Sequence, residues 1–339
     1  EITGKEVFFF FFADIFSQFE ALTIMVVGDV MIDSYWWADV RRISPEAPVP
    51  VCEVKEKENR LGGAANVALN IAAMGAKPLL CSVVGNDKTG LTLRELFVQH
   101  GLSAEGLVAS EQRPTSIKTR IIGNNTQMLR IDEEDSSVLS EKEQEMFVER
   151  VKTLFDNNRI DALVFQDYDK GVLSREVIER ITALAHSKSV PVCVDPKKRN
   201  FAYYKDADLF KPNFKELKEG LKSDEIKAEE QSLMEAAKLL YDKMNVQKVF
   251  VTLSERGVFL ADFGSKDRKS VLLPACVRKI ADVSGAGDTV ISLASLCMAL
   301  HLQAEQVAHI SNIAGGLVCE YVGVVPIDKT RLLTELEKA

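Results

Sequence analysis

The sequence predicts an α/β fold of three layers, in which helices cover both faces of a mostly parallel central sheet, with a small β-lid beside it. Short β-branched runs alternate with longer stretches of helical periodicity, and this alternation is typical of βαβ units. The chain has 339 residues, of which 46% are hydrophobic, so it can bury a substantial core. No internal repeat or linker divides it, and we expect one domain over residues 22–339.

The predicted elements follow one another in a regular order. Strands are predicted where Val, Ile, Leu and Phe cluster, at residues 23–27, 78–84, 161–165, 191–194, 208–211 and 248–253. Helices are predicted near residues 64–74, 141–157, 174–187 and 229–245. Two apolar helices, near residues 286–300 and 304–321, are expected to close the chain.

Two segments interrupt this order and predict the lid. Residues 36–60 carry three prolines within a β-branched stretch, and proline in a sheet is confined mostly to edge strands. Within residues 112–135, apolar and basic side chains alternate before a Gly-Asn-Asn turn, which is typical of a β-hairpin. We therefore expect these two segments to form a small sheet outside the main one.

Residues 1–21 precede the first predicted strand and include five consecutive phenylalanines at positions 8–12. This run is too short to span a bilayer, and no small-residue cleavage site follows it. We expect an irregular or helical leader. The alternative is that the rings contact a membrane surface or a second copy of the chain.

Composition excludes several classes of function. The net charge of −8 argues against a general nucleic-acid binder. The six cysteines lack a CxxC pair and the four histidines lack the spacing of a zinc site. We therefore expect a cytoplasmic protein with reduced thiols that acts on small molecules, with neither nucleic acid nor a membrane as its partner.

The strongest local signal is Asp-Val-Ser-Gly-Ala-Gly-Asp-Thr at residues 282–289, immediately before an apolar helix. Gly285, Ala286 and Gly287 leave backbone N–H groups free at the helix N-terminus, where the partial positive charge favours an anion such as a phosphate. Asp288 could accept the proton of an attacking hydroxyl group. The alternative is a tight turn whose aspartate only caps the helix.

Two further segments offer groups that suit a polyhydroxylated ligand. Gly62 and Gly63 let the backbone approach a ligand closely, and Asn66 offers a donor and an acceptor to hydroxyl groups. Asp29 and Asp33 follow the first strand, at the edge of a parallel sheet where ligands bind. The alternative for the two glycines is a loop that only leads into a core helix.

Together these segments resemble the ribokinase family of sugar kinases, also called the PfkB family, over about residues 22–333. The resemblance implies a ribokinase-like three-layer sandwich and phosphoryl transfer from ATP to a sugar hydroxyl. It also implies sugar contacts at Asp33, Gly62, Gly63 and Asn66, an anion hole at Gly285, Ala286 and Gly287, and the catalytic base at Asp288.

Three weaker matches to the family concern the nucleotide. Asn213 and Glu216 resemble the Asn-x-x-Glu motif that organises Mg²⁺ and the nucleotide phosphates, and that ion prefers oxygen donors; a helix cap would look similar. Ser254 and Gly257 lie in a turn that resembles the one under the nucleotide, or in an ordinary hairpin. Asn312 could line the adenine pocket or only pack helix against helix. The resemblance also leaves room for a monovalent cation near the start of residues 282–289.

A finer resemblance is to the heptose 7-phosphate kinases of this family. It is carried by residues 28–36, by Arg-Ile-Ser-Pro-Glu-Ala-Pro-Val-Pro-Val at 42–51, and by Asp-Tyr-Asp-Lys-Gly-Val-Leu-Ser at 167–174. It implies phosphorylation of D-glycero-β-D-manno-heptose 7-phosphate at the anomeric 1-hydroxyl, on the route to ADP-heptose and lipopolysaccharide. The 7-phosphate needs cations, and the candidates are Arg42, Lys118, Arg120, Arg130, Lys170 and Lys197.

Several alternatives stay open. The acceptor could be fructose, ribose or a ketohexose phosphate, or the protein could be a sensor that binds sugar or nucleotide without catalysis. A NAD-type dehydrogenase lacks support, because Gly-Asp-Val-Met follows the first strand where Gly-x-Gly-x-x-Gly would be needed. The His-x-Gly-His loop of a nucleotidyltransferase is not among the 339 residues, so we expect a stand-alone kinase or the kinase part of a longer protein. Val49, Val51 and Val54 of the lid could pair across a two-fold axis, and we expect a homodimer.

Overall fold

The computed structural model describes residues 12–265, 269–276 and 280–338. Its strands are β1 (Thr23–Gly28), β2 (Val30–Ile43), β3 (Pro50–Gly63), β4 (Lys77–Gly85), β5 (Gly106–Ser110), β6 (Ile117–Gly123), β7 (Thr126–Glu133), β8 (Ala162–Gln166), β9 (Val192–Asp195), β10 (Leu209–Phe210), β11 (Lys248–Thr252), β12 (Val258–Asp262) and β13 (Lys269–Leu273). Its helices are α1 (residues 12–18), α2 (Ala64–Ala73), α3 (Lys88–Gln99), α4 (Glu141–Asn157), α5 (Arg175–Ser187), α6 (Phe214–Leu221), α7 (Glu230–Met244), α8 (Ala286–Ala299), α9 (Ala304–Val318) and α10 (Lys329–Leu336).

The main sheet has nine strands in the order β13-β12-β11-β10-β9-β8-β1-β4-β5. The strands from β11 to β5 in this order pair in parallel, and β12 and β13 add an antiparallel edge. The predicted α/β class with a mostly parallel sheet is confirmed. The sequence analysis missed β5, β12 and β13.

Hydrophobic side chains fill both faces of the main sheet. In β1, Ile24 and Val26 belong to a core under α2, α8 and α9, whereas Met25 and Val27 belong to the core under α4, α5 and α7. A strand covered by helices on both faces has no polar side, so its sequence is a continuous apolar run. This arrangement leaves the ends of the strands as the place for polar groups.

The leader packs into the core at its described end. Residues 12–18 are helical, and Phe12, Phe16 and Phe19 are buried with the first of the two cores. The rings of Phe16 and Phe19 stack 5.3 Å apart. The other four phenylalanines of the run, at residues 8–11, lie outside the described residues.

A second sheet of four strands, which we call the lid sheet, has the order β3-β2-β6-β7. It overlaps the predicted lid segments 36–60 and 112–135. The prolines mark an edge strand, β3, and the Gly-Asn-Asn turn joins β6 to β7 with Asn124 and Asn125 in the left-handed region (φ 50° and 62°). Because β2 follows β1 directly and β3 leads into α2, the lid sheet begins at the carboxyl edge of the main sheet.

Two details differ from the sequence prediction. The last described helix is α10, so the pair α8 and α9 does not close the chain, and the short helices α3 and α6 were not predicted. Across the described ranges, we find no helix with the length and apolar character that crossing a membrane requires.

Candidate active site

Polar side chains gather where four adjacent parallel strands end. Gln166 and Asp195 are the last residues of β8 and β9, and Lys211 follows β10 directly. Asp29 and Asp33 follow β1 in the same region. The carboxyl edge of an open α/β sheet is where ligands of such folds bind, and here it lies next to the lid sheet.

The first turn of α8 brings Asp288 into this cluster. Gly285 is the N-cap in the left-handed region (φ 79°), so α8 begins at Ala286. The buried Asp288 carboxylate accepts hydrogen bonds from Asn66 Nδ2 at 2.7 Å, Gln166 Nε2 at 3.1 Å and Tyr168 Oη at 2.7 Å. Burial disfavours the ionised carboxylate and raises the pKa of Asp288 to about 6, although the bonds from Asn66 and Tyr168 oppose the shift.

Glycine is required where the two predicted glycine segments approach polar groups. A Cβ at Gly62 would lie 2.3 Å from Asp33 Oδ2, and one at Gly285 would lie 3.1 Å from Asn66 Nδ2. Gly63 has a φ of 62° as well. The structure therefore places both segments, the twin glycines and the Gly-Ala-Gly-Asp turn, against the same polar cluster.

The two carboxylates that follow β1 have different surroundings. Asp33 pairs with Arg120 of β6 and stays next to Gly62. Asp29 instead accepts backbone N–H groups from Tyr168, Lys170 and Val172. The expectation that both carboxylates face ligand hydroxyls is therefore wrong for Asp29, whose oxygens are used to hold a loop.

The lid sheet presents a charged face. Lys118 and Lys170 both bind Glu134, with N–O distances of 3.0 and 2.6 Å. Arg120 and Arg130 are directly opposite each other in the β6–β7 register, so they lie on one face of the sheet. The Arg130 side chain is half exposed and pairs with Asp132. Of the cations predicted for a phosphate, these four and the exposed Arg42 of β2 lie in or beside the lid sheet.

A second charged group borders Gly287. Lys211 and Asp195 form a buried ion pair of 3.0 Å, and a Cβ at Gly287 would lie 3.7 Å from Lys211 Nζ. Asn213 and Glu216 form a capping box at the start of α6, which matches the helix-cap alternative. Glu216 also pairs with Lys197, so Lys197 lies on this side of the cluster.

The other predicted nucleotide residues make local interactions. Ser254 is exposed at the start of a short 3₁₀ turn between β11 and β12, and Gly257 ends that turn with a φ of 96°. Asn312 Nδ2 donates to the Pro274 carbonyl at 2.9 Å. Their contacts with a nucleotide stay a prediction.

Sequence reasoning missed several members of the cluster. The sequence patterns assign no role to Gln166, Asp195 or Lys211, and Tyr168 occurs only within residues 167–174, which carry the finer resemblance. All but Tyr168 end or follow a parallel strand, and Tyr168 lies two residues beyond β8. The rule that ligands bind at the carboxyl ends of such strands was the signal that could have found them.

Comparison with known sequences identifies the family. Residues 21–331 match the model of the pfkB family carbohydrate kinases. The bifunctional protein HldE of Methylobacillus flagellatus is 40% identical over 314 residues, 93% of this chain and 63% of that protein. HldE of Desulfatibacillum aliphaticivorans is 38% identical over 324 residues, 95% of this chain and 64% of that protein. The chain thus spans slightly less than two thirds of the length of these relatives.

Solved structures show the same fold. Phosphofructokinase-2 of Escherichia coli, in complex with potassium, gives a TM-score of 0.75 at 18% identity and covers 93% of this chain and 99% of its own. Ribokinase of Arabidopsis thaliana, complexed with ribose and ATP, gives a TM-score of 0.69 at 17% identity. The match covers 94% of this chain and 99% of the ribokinase chain. With the family match over most of its length, the chain belongs to the pfkB family and is a carbohydrate kinase with a ribokinase-like fold.

Proposed function

We propose that the chain transfers the γ-phosphate of ATP to the anomeric 1-hydroxyl of D-glycero-β-D-manno-heptose 7-phosphate, giving the 1,7-bisphosphate and ADP. The choice of heptose rests on residues 28–36, 42–51 and 167–174, which resemble the heptose kinases, and on the HldE relatives. The observation that carries a kinase reaction here is the buried hydrogen bond between Asn66 and Asp288. It joins the segment proposed to hold the sugar to the proposed base.

The proposed step needs a base and a site for phosphate charge. The sugar hydroxyl oxygen attacks the γ-phosphorus, and its proton passes to the Asp288 carboxylate. The bond from the γ-phosphorus to the bridging oxygen breaks, and ADP leaves with the electron pair. The N–H groups of Gly285, Ala286 and Gly287 would stabilise charge on the transferring group. The first turn of a helix has no acceptor within the helix for such groups, and the Ala286 N–H donates to the preceding Val283 carbonyl only at 3.4 Å.

We assign the distal phosphate of the sugar to the charged face of the lid sheet. The ammonium groups of Lys118 and Lys170 share one carboxylate, that of Glu134, and both side chains are about five-sixths shielded from solvent (15% and 16% exposed). A phosphate dianion carries more charge and more acceptor oxygens than that carboxylate, so it can bind both lysines. Arg120 and Arg130 would add positive charge from the same face of the sheet.

Asn213 and Glu216 would hold Mg²⁺ through water. Within the described part of the chain, each carboxylate oxygen of Glu216 has one partner, the Asn213 N–H or the Lys197 ammonium group, which leaves a second acceptor site on each. Mg²⁺ keeps several waters in phosphate sites, so Asn213 and Glu216 fit a role in which they bind the waters around the ion. The ion would neutralise charge on the β- and γ-phosphates.

The remaining assignments concern the nucleotide and the surroundings. We propose Ser254, Gly257 and Asn312 as contacts of ATP and the cytoplasm as the location. A monovalent cation is proposed near Asp282, whose carboxylate ties two segments together by accepting the Ser284 and Gly323 N–H groups, each at 2.9 Å. A comparison of ADP release in potassium and in choline buffers tests the cation.

Mass spectrometry of the product tests the substrate. The chain is incubated with MgATP and, separately, with the heptose 7-phosphate, fructose, fructose 6-phosphate or ribose, and ADP release is measured in parallel. We expect a heptose bisphosphate and faster ADP release with the heptose 7-phosphate than with the others. A preference for another sugar would overturn the assignment of heptose as the acceptor, but not the assignment of a kinase activity.

Replacing the proposed base tests the reaction itself. Asp288→Asn is expected to lower turnover by about 10²- to 10⁴-fold, because a neutral amide cannot take the hydroxyl proton. ATP binding, measured by isothermal titration calorimetry, should stay within a few-fold of the wild type. Near-normal turnover in this variant would exclude Asp288 as the base. Saturable sugar binding without ADP release from any sugar would favour a sensor.

A further inference from the structure

One segment singled out by its sequence has only a partial role in the proposed reaction. Residues 167–174 follow β8 at the carboxyl edge of the main sheet, and only Lys170 among them was assigned to substrate. The segment contains two residues in the left-handed region, Asp169 (φ 60°) and Gly171 (φ 83°). Such a conformation persists only where the surroundings hold it.

The Asp29 carboxylate holds this segment. Its Oδ2 accepts the N–H groups of Tyr168 at 2.8 Å and Lys170 at 3.2 Å, and its Oδ1 accepts the Val172 N–H at 3.1 Å. Asp29 is 1% exposed, so these bonds face little competition from water. The backbone of Tyr168 is therefore fixed relative to β1, and this fixes the position from which the Tyr168 side chain extends.

The Tyr168 hydroxyl group is hydrogen-bonded to the proposed base, Asp288. It donates to Asp288 Oδ1 at 2.7 Å, and Gln166 Nε2 donates to the same oxygen at 3.1 Å. Asn66 Nδ2 donates to the other oxygen, Oδ2, at 2.7 Å. A carboxylate oxygen accepts about two hydrogen bonds. Among the residues that the structure describes, Oδ1 has two donors, whereas Oδ2 has one, from Asn66, and lies on the side of the twin-glycine segment.

We propose that Tyr168 is a positioning residue for phosphoryl transfer: with Gln166 it occupies Oδ1 of Asp288, so that the sugar hydroxyl delivers its proton to Oδ2. This inference rests on the proposed function, in which Asp288 is the base. The reacting hydroxyl then approaches from the side of Asn66, where the sugar is proposed to bind. Tyr168 itself forms no bond to the substrate in this arrangement.

The charge around Tyr168 keeps it a donor. Burial and the neighbouring carboxylates, chiefly that of Asp288, raise the pKa of the Tyr168 phenol well above its ordinary value. The hydroxyl group therefore stays protonated throughout the range in which the enzyme works. The Lys197 ammonium group lies 5.7 Å from the ring centroid of Tyr168, which adds a favourable contact for the ring.

A second tyrosine that is hydrogen-bonded to a buried aspartate provides a matched control. Tyr204 donates its hydroxyl to Asp167 Oδ2 at 2.7 Å, so Tyr204→Phe also removes one hydroxyl hydrogen bond to a buried aspartate. Asp167 keeps hydrogen bonds from Asn200 Nδ2 and the Asp169 N–H. A loss of packing or stability affects both variants, whereas an effect on Asp288 is expected only from Tyr168→Phe.

The test is a direct titration of Asp288 in the full chain by infrared spectroscopy. The carbonyl stretch of the protonated carboxyl group is isolated by subtracting the spectrum of the matching Asp288→Asn variant, and it is followed from pH 4 to pH 9. A hydrogen bond to the ionised form lowers a pKa, so Tyr168→Phe should move the midpoint upward by about one pH unit. Tyr204→Phe should leave the midpoint unchanged.

Kinetics supply the second readout, with whichever sugar of the panel is phosphorylated. Tyr168→Phe should lower kcat about 10- to 100-fold and move the acid limb of kcat/KM upward with the infrared midpoint. The KM for ATP should stay unchanged. Circular dichroism and thermal melting confirm that both tyrosine variants are folded.

Two outcomes overturn the role of Tyr168: an unchanged Asp288 midpoint in Tyr168→Phe, or an equal shift in Tyr204→Phe. The infrared titration needs no sugar, so it decides this point even if the sugar panel gives no product. Normal turnover by Asp288→Asn, in contrast, excludes Asp288 as the proposed base, whatever the infrared titration shows for its hydrogen bond to Tyr168. The two failures are therefore distinguishable.

Discussion

Asp288 is a buried carboxylate that has to be ionised in order to act as a base. Burial disfavours the charge and raises its pKa to about 6, while the hydrogen bonds from Asn66 and Tyr168 favour the charge. The result is a group that is ionised at neutral pH and still basic enough to accept a proton. A general base is most effective when its pKa lies near the working pH.

The first prediction at this scale concerns pH. Because the proposed base has to be ionised and the pKa of Asp288 is raised to about 6, kcat/KM should be full at pH 8 and fall as the pH drops through about 6. The measurement is ADP release at saturating ATP from pH 5 to pH 8. A rate that stays full down to pH 5 would contradict this prediction, because a base with the raised pKa of Asp288 would already be mostly protonated there.

How much of the site the sequence predicts depends on the kind of residue. Asp288 and Asn66 could be predicted because each lies in a glycine segment whose local conformation suggests a ligand. Gln166 and Tyr168 could not, because their contacts with residue 288 join positions more than 100 residues apart. Asp29 was misjudged for the same reason: its orientation depends on a loop that the sequence does not position.

Among the elements, the loop after β8 depends most on a single side chain. The Asp29 carboxylate accepts three hydrogen bonds from the loop backbone. Burial and the charge of Asp167 raise the pKa of Asp29 to about 6. The raised pKa means that burying this charge costs stability above pH 6. Its hydrogen bonds therefore have to offset that cost.

The stability prediction concerns Asp29→Ala. It leaves three N–H groups without an acceptor, at about 1–3 kcal/mol each, and removes the cost of the buried charge, so we expect a net loss of about 2–4 kcal/mol. Urea denaturation at pH 7 measures it. Asp161→Ala is the control, because Asp161 Oδ2 accepts one backbone N–H, that of Thr23, at the opposite end of β1. Equal losses of unfolding free energy in the two variants would contradict the conclusion that the loop depends on its three hydrogen bonds to Asp29.

The lid sheet was only partly predictable. Prolines identified the edge strand β3, and the Gly-Asn-Asn turn identified the β6–β7 hairpin. The parallel pairing of β2 with β6 was not predicted, because it joins segments that are far apart in the chain. Register shifts in β2 and β6 also change which side chains share a face. Alternation in the sequence alone therefore does not assign the charged face.

A third prediction follows from that charged face. Lys118→Ala and Lys170→Ala should each raise the KM for the sugar phosphate about 10- to 100-fold, because each removes a charge-assisted bond to the phosphate. The KM for the sugar without its phosphate should change little. Lys57→Ala is the control, since Lys57 lies over the Trp36 ring in the same sheet. An equal rise in KM for the sugar phosphate and the unphosphorylated sugar would mean that these lysines do not bind the distal phosphate.

For the whole molecule, composition and alternation were enough to predict a parallel sheet between two helical layers. They could not give the order of nine strands, because strand order is decided by which apolar faces pack together. At one end of the sheet, β12 pairs antiparallel with both β11 and the edge strand β13, and these two strands carry no signal of the βαβ type. Sequence patterns therefore determine the class of this fold better than its edges.

The lid sheet also leaves apolar side chains uncovered in a single chain. Trp36, Ile121 and Leu129 are aligned across β2, β6 and β7, and Leu129 and Ile131 are 54% and 42% exposed. Val49, directly before β3, is exposed as well. Exposed apolar patches of this kind are typical of protein interfaces, and a two-fold axis would let the same patch cover itself.

We therefore predict a homodimer that buries this face, and light scattering coupled to size-exclusion chromatography should give about twice the mass of one chain. Leu129→Lys combined with Ile131→Lys should give a monomer, because two charges would have to be buried. Leu91→Lys is the control, since Leu91 is 62% exposed on α3 and lies outside the lid sheet. A dimer that survives the double variant, or is lost in Leu91→Lys, would place the interface on another surface.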